Sequence, residues 1–342
     1  MLARNALAQS PCLRFERNTL MALAPLFAGS LKLPAIAAPM FLVSGPKLVI
    51  ETCKSGIAGS FPALNQRTSE GYVAWLTEIQ LALEAAHAQT GVKPAPFGVN
   101  LIVHKTNPRL HADLEITCKA KVPFVITSLG AVRDVVDAVH SYGGLVLHDV
   151  ISARHAEKAI EAGVDGVIAV SAGAGGHAGT INPFALLSEL RPVCGDKMLV
   201  LAGSLSDGHA VAGAIAAGAD LAYLGTRFIA TTESMAPDAY KQMLVASGSK
   251  DIVYTPKISG VAANFLIPSL IKAGLDLETM APSRGMDLEH EAKAWSTVWS
   301  AGHGVAAIDS VIGVAELTAR LIEEYDQSGQ RLAAFRAANN KV

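Results

Sequence analysis

Short apolar runs alternate with longer amphipathic stretches along the first two-thirds of the chain. The runs are rich in Val, Ile and Leu, which is typical of parallel strands buried on both faces. The stretches between them carry apolar residues at helical spacing. The predicted strands are Ala35–Pro39, Gly56–Ser60, Phe97–Leu101, Pro123–Thr127, Leu145–His148, Asp165–Val170, Met198–Ala202 and Asp220–Leu224.

A helix is predicted after each of these strands. Several begin or end at Ser, Asn, Pro or Gly, the residue types that favour helix termini. Eight strand–helix pairs in strict alternation predict an α/β fold, a (β/α)8 TIM barrel. The predicted helices are Pro46–Lys54, Glu70–Gln89, Pro108–Lys119, Ala131–Tyr142, Ser152–Ala162, Asn182–Val193, Asp207–Ala217 and one from about Thr226.

The alternation stops at about Ala236. Residues 236–342 are predicted to be mostly helical, with helices at Glu289–Trp299 and Val314–Tyr325 and breaks at prolines. We therefore expect an N-terminal extension over 1–30, a barrel over 31–235 and a C-terminal helical cap or lid over 236–342. A separately folding domain in place of the cap is the alternative.

Composition and charge narrow the function classes. The chain has 342 residues, 51% of them hydrophobic and 17% charged, with a net charge of -2. It lacks a basic stripe, so nucleic-acid binding is not expected, and no segment is apolar enough to predict a membrane span. Its 4 cysteines are scattered without a C-x-x-C pair, which predicts neither a disulfide framework nor a zinc site and fits a reducing, cytoplasmic compartment.

The N-terminus leaves a second reading open. Arg4, Arg14 and Arg17 precede the apolar run Leu20–Ala28, a pattern loosely like a signal or transit peptide. The run is short and contains Pro25, so we expect a cytoplasmic protein. Met21 could also serve as an internal start.

A glycine-rich segment carries a single histidine. Val170-Ser-Ala-Gly-Ala-Gly-Gly-His-Ala-Gly179 directly follows the predicted strand Asp165–Val170. Glycine lets the backbone approach a ligand closely, and histidine has an ordinary pKa near neutral. We therefore predict His177 as a catalytic proton-exchanging residue. A solvated histidine on a plain turn is the alternative.

In a (β/α)8 barrel the site lies at the carboxyl ends of the strands. Two loops there suggest phosphate: Ala202-Gly-Ser-Leu-Ser-Asp-Gly208 and Leu224-Gly-Thr-Arg-Phe228 follow the seventh and eighth predicted strands and open helices. Because no G-x-G-x-x-G follows the first strand and no Walker A motif occurs, a phosphate-bearing flavin is favoured over a dinucleotide or ATP. Further candidates at strand ends are Pro39, Met40, Asn65, Asn100, Ser128 and His148.

Two of these candidates have plain structural alternatives. Asn100 could bond a flavin ring edge or simply cap its strand. His148, followed by Asp149, could form an acid–base or metal device, but no third metal ligand is evident, so we prefer a role at the cofactor.

Taken together, the motifs resemble those of the nitronate monooxygenases, FMN-dependent (β/α)8 enzymes formerly called 2-nitropropane dioxygenases. The resemblance spans roughly residues 35–325. It rests on Ala38-Pro-Met40, Pro96-Phe-Gly-Val-Asn100, Ala174-Gly-Gly-His-Ala-Gly179, the two phosphate loops, Ile258-Ser-Gly-Val-Ala-Ala-Asn264 and Trp299-Ser-Ala-Gly-His-Gly304.

The resemblance implies roles for individual residues. His177 would be the catalytic base or would orient the substrate. Pro39 and Met40 would pack against the flavin, Asn100 would bond its ring, and Gly175 would approach it. Gly203, Gly225 and Thr226 would lie at the phosphate. The full set of expected cofactor-binding residues is Ala38, Pro39, Met40, Asn100, His148, Gly175, Gly176, Gly203, Ser204, Leu224, Gly225 and Thr226.

It also implies an activity: FMN-dependent oxidation of alkyl nitronates, or of nitroalkanes, by O2 to carbonyl compounds and nitrite. An NAD(P)H-dependent flavin reductase of the quinone or enoyl-ACP type is the alternative enzyme, and a non-catalytic flavin carrier is a third reading. A homodimer is compatible with the resemblance. Four positions depart from the family pattern, which often has Gln, Gly, Lys and Gln where this chain has Val170, Ser204, Asp149 and His303.

Overall fold

Eight parallel strands follow one another round a barrel, joined by helices on its outside. The computed structural model describes residues 22–104, 106–130, 133–280 and 298–339. The barrel strands are β1 (Ala35–Ala37), β2 (Gly59–Pro62), β3 (Phe97–Ile102), β4 (Phe124–Ser128), β5 (Leu145–Val150), β6 (Gly166–Val170), β8 (Met198–Ala202) and β9 (Leu221–Leu224).

The strands pair in the order β1-β9-β8-β6-β5-β4-β3-β2. A parallel bridge between Ile36 and Ala58 joins the two ends of this sheet and closes the barrel. Every pair in the barrel is parallel, which confirms the (β/α)8 prediction.

The helices that follow the barrel strands lie within a few residues of their predicted positions, and further helices come after them. They are α1 (Pro46–Ser55), α2 (Ser69–Thr90), α3 (Leu110–Lys119), α4 (Arg133–His140), α5 (Ala153–Glu161), α6 (Pro183–Cys194), α7 (Gly208–Ala216), α8 (Thr226–Ile229), α9 (Asp238–Val245), α10 (Ile267–Lys272) and α11 (Val314–Asn339). Asn182 caps α6 as predicted, accepting a hydrogen bond from the Phe184 N–H. Ser152 lies at the N-cap of α5, but its side chain makes no capping bond.

Two layers of side chains form the core. Phe27, from the segment before β1, packs against Phe124 inside the barrel, with ring centroids 5.3 Å apart and ring planes tilted by 58°. The second layer fills the space between the strands and the surrounding helices. Because neighbouring residues of a strand point to opposite faces, each strand contributes to both layers.

The region after β9 differs from the prediction of mostly helix. Two strands, β10 (Ile252–Thr255) and β11 (Ala263–Leu266), form an antiparallel pair, and β11 also pairs with the short β7 (Gly176–His177). Prolines and Gly260, which has a left-handed φ, interrupt this region and limit its strands to four residues. Strands this short show no clear alternation of apolar and polar residues. The predicted helix Glu289–Trp299 lies largely outside the described residues.

The helix predicted at Val314–Tyr325 is present and continues to Asn339 as α11. It packs on the outside of the barrel, against α7 and α1. In this position it completes the ring of barrel helices, so elements of the barrel continue beyond residue 235. No helix among the described residues is long and apolar enough to cross a bilayer.

Candidate active site

A cavity of about 790 Å3 opens at the carboxyl ends of the barrel strands. Its volume is in the range of small-molecule and cofactor sites. Most of the predicted site residues border it, although they come from strand ends far apart in sequence. These are Ala38, Pro39, Met40, Asn100, Gly175, Gly176, His177, Gly203, Ser204, Gly225 and Thr226.

His148 does not border the cavity, so the structure does not support its predicted contact with a cofactor. Alternation along β5 turns Leu147 and Asp149 into the barrel and His148 toward the helices. The Nδ1 atom of His148 lies 2.8 Å from the Thr127 hydroxyl, and burial lowers the pKa of His148 to about 4. Asp149 is the residue of this pair that reaches the cavity.

Leu224 and Asn65 also lie behind the cavity wall. The Leu224 side chain packs in the outer layer, and its carbonyl accepts a hydrogen bond from the Ala38 N–H at 2.9 Å. The Asn65 amide braces the loop after β1 by donating to the carbonyls of Met40 and Ser44. These residues hold the wall in place, and Leu224 is not a supported cofactor contact.

The loop that carries His177 is fixed from the C-terminal side of the molecule. His177 pairs with Ala263 across the β7–β11 ladder. Next to it, the Gly176 N–H donates to the Ser300 hydroxyl at 2.6 Å. The Asn264 amide donates to the Ala174 carbonyl at 2.7 Å. These contacts, which we call the β7–β11 clamp, hold His177 at the cavity edge. The local sequence does not indicate them.

Three polar side chains form a hydrogen-bonded row on neighbouring strands. The Asn100 amide donates to the Ile126 carbonyl at 3.2 Å and to the Ser128 hydroxyl at 2.8 Å. The Ser128 hydroxyl donates in turn to Oδ2 of Asp149 at 2.6 Å. The other carboxyl oxygen, Oδ1, is closed off from solvent and has no hydrogen-bond partner in the part of the chain that the structure describes.

The surroundings of Asp149 favour its neutral form. Burial raises the pKa of its carboxyl to about 6, while the Ser128 hydrogen bond and the charge of His177 act in the opposite direction. Tyr223, which also borders the cavity, has its phenol pKa raised by burial and by the charge of Asp149. The carboxyl end of the barrel thus holds an aspartate whose pKa lies above its ordinary value.

The two predicted phosphate loops meet at the cavity. Gly203 has φ 123°, and a Cβ there would lie 2.3 Å from the Ser171 hydroxyl, so only glycine fits. Ser204 has φ 57°, a left-handed conformation that favours glycine. Ser206 borders the cavity, and its hydroxyl is buried and has no hydrogen-bond partner within the described residues.

The predicted anion site at the start of α7 is not available. The Asp207 carboxylate accepts from the Ala210 N–H at 2.7 Å, and Glu324 of α11 accepts from the Gly208 N–H at 2.7 Å. Two carboxylates therefore already satisfy this helix end and would repel a phosphate. Any phosphate contact must come from the loop backbone, the Ser206 hydroxyl and the start of α8.

Arginines at the cavity border were not predicted. Arg109 donates to the Gln66 carbonyl and pairs with Asp113 at 2.8 Å, and the exposed Arg67 lies beside it. Both follow strand ends in loops without a motif, so only the three-dimensional fold brings them to the site. Asp113 offsets the charge of Arg109, so the net positive charge at this side of the cavity is that of Arg67.

Comparisons with known proteins identify the family of this chain. The profile of the nitronate monooxygenase family matches residues 107–324. The chain belongs to the nitronate monooxygenase family. It is therefore a flavin-dependent oxidoreductase, as the resemblance predicts.

Individual relatives are distant. A nitronate monooxygenase of Paraburkholderia phytofirmans is 26% identical, covering 88% of this chain and 94% of that one. A (3aS,4S,5R,7aS)-5-hydroxy-7a-methyl-1-oxo-octahydro-1H-indene-4-carboxyl-CoA dehydrogenase of Rhodococcus jostii is 29% identical, covering 74% and 67%. The structure of a nitroalkane oxidase from Streptomyces ansochromogenes superposes with a TM-score of 0.76 at 26% identity, covering 90% of this chain and 99% of that one.

Proposed function

We propose that this protein binds FMN and oxidises alkyl nitronates, or nitroalkanes, with O2 to carbonyl compounds and nitrite. The observation that carries the proposal is a single cavity bordered by His177, by the amide of Asn100 and by both phosphate loops. A proton-exchanging group, a polar edge for a ring and an anion cradle therefore lie in one space. The small-molecule partners are the nitro compound and O2.

The residues present fit a flavin. Both amide hydrogens of Asn100 are used within the protein, so its Oδ1 is the acceptor that it can offer to the ring N–H of a flavin. Pro39 and Met40 supply an apolar wall. The unpartnered hydroxyl of Ser206 needs an acceptor, which a phosphate oxygen would supply.

Bound FMN supplies the electron-accepting chemistry, and the chain supplies orientation and proton transfer. His177 would take the α-proton of a neutral nitroalkane at its ring nitrogen or, when protonated, hold a nitronate oxygen. Its β7–β11 clamp fixes the position from which it does so. Arg67 adds a positive charge at the border that favours an anionic substrate.

Anaerobic mixing of the FMN-loaded protein with propionate 3-nitronate or with NAD(P)H tests the proposal. We expect the nitronate to bleach the flavin absorption and NAD(P)H to leave it unchanged. Bleaching by NAD(P)H alone would move the protein to the reductases. A preparation that takes up no FMN would overturn both readings.

Oxidation of a CoA ester by the same flavin site is the second candidate because of one relative. The Rhodococcus protein, a dehydrogenase of a CoA ester by its name, is as similar to this chain as the nitronate monooxygenases are. A further anaerobic arm with an acyl-CoA ester tests this candidate by the same flavin absorption, and the NAD(P)H arm tests the reductase alternative.

A further inference from the structure

We propose that Asp149 is a positioning residue whose ionisation directs the hydroxyl proton of Ser128 either to the Asp149 carboxylate or into the cavity. The inference rests on the proposed flavin site and gives that site a hydrogen-bond donor that depends on pH. Its basis is the row formed by Asn100, Ser128 and Asp149.

The direction of each hydrogen bond in the row follows from its chemistry. An amide N–H can only donate, so the Ser128 hydroxyl oxygen accepts from Asn100 at every pH. That leaves the single hydroxyl proton of Ser128 to be placed. While Asp149 is ionised, the proton lies toward its Oδ2, 2.6 Å away.

Protonation of Asp149 reverses this bond. The carboxyl O–H can then donate to the Ser128 oxygen, which releases the Ser128 proton. Ser128 borders the cavity, so the released proton can be offered to an acceptor atom of a ligand there. Asp149 thus acts through Ser128, and the neutral carboxyl is the form that gives the cavity a donor.

The environment of Asp149 makes the change occur in an accessible pH range. An ionised carboxylate whose Oδ1 has no solvent and no donor is costly, so the neutral form is favoured. Accordingly, burial raises the pKa of Asp149 to about 6. The titratable side chains that act on it are His177 of β7, whose charge opposes the shift, and Tyr223 of β9; Arg67 and Arg109 border the same cavity.

The test is the dissociation constant of FMN, measured by flavin fluorescence between pH 5 and 8. In the wild type we expect binding to weaken as the pH rises through about 6, because the donor is lost. At pH 8 about one carboxyl in a hundred would be protonated, so the loss has a ceiling of about 100-fold. Asp149→Asn and Ser128→Ala should both remove this dependence.

The phosphate of FMN also titrates near pH 6, so the wild-type profile is read as its difference from that of Asp149→Asn, and riboflavin is run in parallel. Asp220→Asn is the matched control, because Asp220 is a buried aspartate at the opposite end of the barrel. It should keep the wild-type profile.

The outcomes separate the two proposals. If the wild type binds FMN with the same profile as Asp149→Asn, the role of Asp149 is overturned and the flavin site stands. If the wild type binds no FMN at any pH, the flavin site itself fails. NMR titration of labelled aspartate carboxyls in FMN-free protein is independent of both, and an Asp149 that titrates like an exposed aspartate would overturn the inference.

Discussion

Two aspartates lie at opposite ends of this barrel, Asp220 buried and Asp149 partly exposed with one oxygen closed off from solvent, and their partners differ. Asp220, just before β9, has Oδ2 bonded to Arg191 at 2.9 Å and to the Leu199 N–H at 2.8 Å, and Oδ1 bonded to the Ala22 N–H at 2.6 Å. Asp149, in β5, has one partner, Ser128, and an oxygen with none among the described residues. The aspartate at the start of the strands therefore has hydrogen-bond partners on both carboxyl oxygens. Among the described residues, the aspartate at the cavity has a partner on one oxygen alone.

The difference separates stability from function. A buried carboxylate with donors on both oxygens is stable as an anion and ties strands to one another. A buried carboxyl with an unfilled oxygen is costly in its charged form and is typical of functional sites. We therefore expect changes at the Asp220 end to affect unfolding and changes at the cavity end to affect ligand chemistry.

The largest expected effect is at the cavity end. His177→Ala should lower turnover of a nitroalkane by about 10²–10⁴-fold, because it removes the proton-exchanging group, and should leave FMN binding and unfolding near wild type. Stopped-flow flavin absorbance measures the first and fluorescence titration the second. His148→Gln is the matched control, since its ring faces the helices, and it should retain turnover. Equal loss in both variants would remove His177 from the mechanism.

The other end should respond in the opposite way. Asp220→Ala should lower the free energy of unfolding by about 3 kcal/mol, because it leaves Arg191 and a strand N–H without their acceptor. FMN affinity, measured under native conditions, should not change. Asp137→Ala on the exposed face of α4 is the control and should stay within about 0.5 kcal/mol. A loss of FMN affinity in Asp220→Ala would contradict the assignment of stability to one end of the barrel and ligand binding to the other.

A third effect depends on pH. The folded-state pKa of Asp149 is raised from 3.8 to about 6, so its contribution to stability is full below pH 4 and is lost as the pH rises through 6. Asp149→Asn lacks this titration. Urea denaturation at pH 4 and pH 7 measures the free energy of unfolding of both proteins. The value for the variant relative to the wild type should be higher at pH 7 than at pH 4 by up to about 3 kcal/mol. A difference between the two proteins that does not change with pH would contradict the assignment.

The same comparison shows what the sequence could and could not predict. The barrel was predictable because each apolar run is bounded by Gly, Pro or capping residues and followed by a strongly periodic helix. The loops with His177, Gly203 and Gly225 were predictable because their glycines carry a local signal. Strand ends in such a barrel then converge on one face, which brings these residues together.

What failed depends on contacts between distant segments. Both faces of β5 are buried, so the pattern of apolar residues does not tell whether His148 or Asp149 faces the cavity. A shift of one residue along a strand exchanges the two faces, and the sequence does not fix this position. The β7–β11 clamp joins residues 90 positions apart, as Asn264 and Ala174 show, and no local pattern encodes such a pairing. The carboxylate of Glu324 at the start of α7 is equally remote, at a separation of 116.

The smallest expected effect sharpens the comparison within the cavity end itself. Ser204 holds a left-handed φ of 57°, which strains a residue with a Cβ. Ser204→Gly should therefore raise the free energy of unfolding of the FMN-free protein by about 0.5–1 kcal/mol, the strain relief less the added entropy of the unfolded chain. Ser188→Gly, in the body of α6, is the matched exchange at an ordinary helical position, and it should lower stability by about 0.5 kcal/mol. If both exchanges destabilise the protein equally, then Ser204 is not strained, and the loop owes its shape to the packing of Gly203 alone.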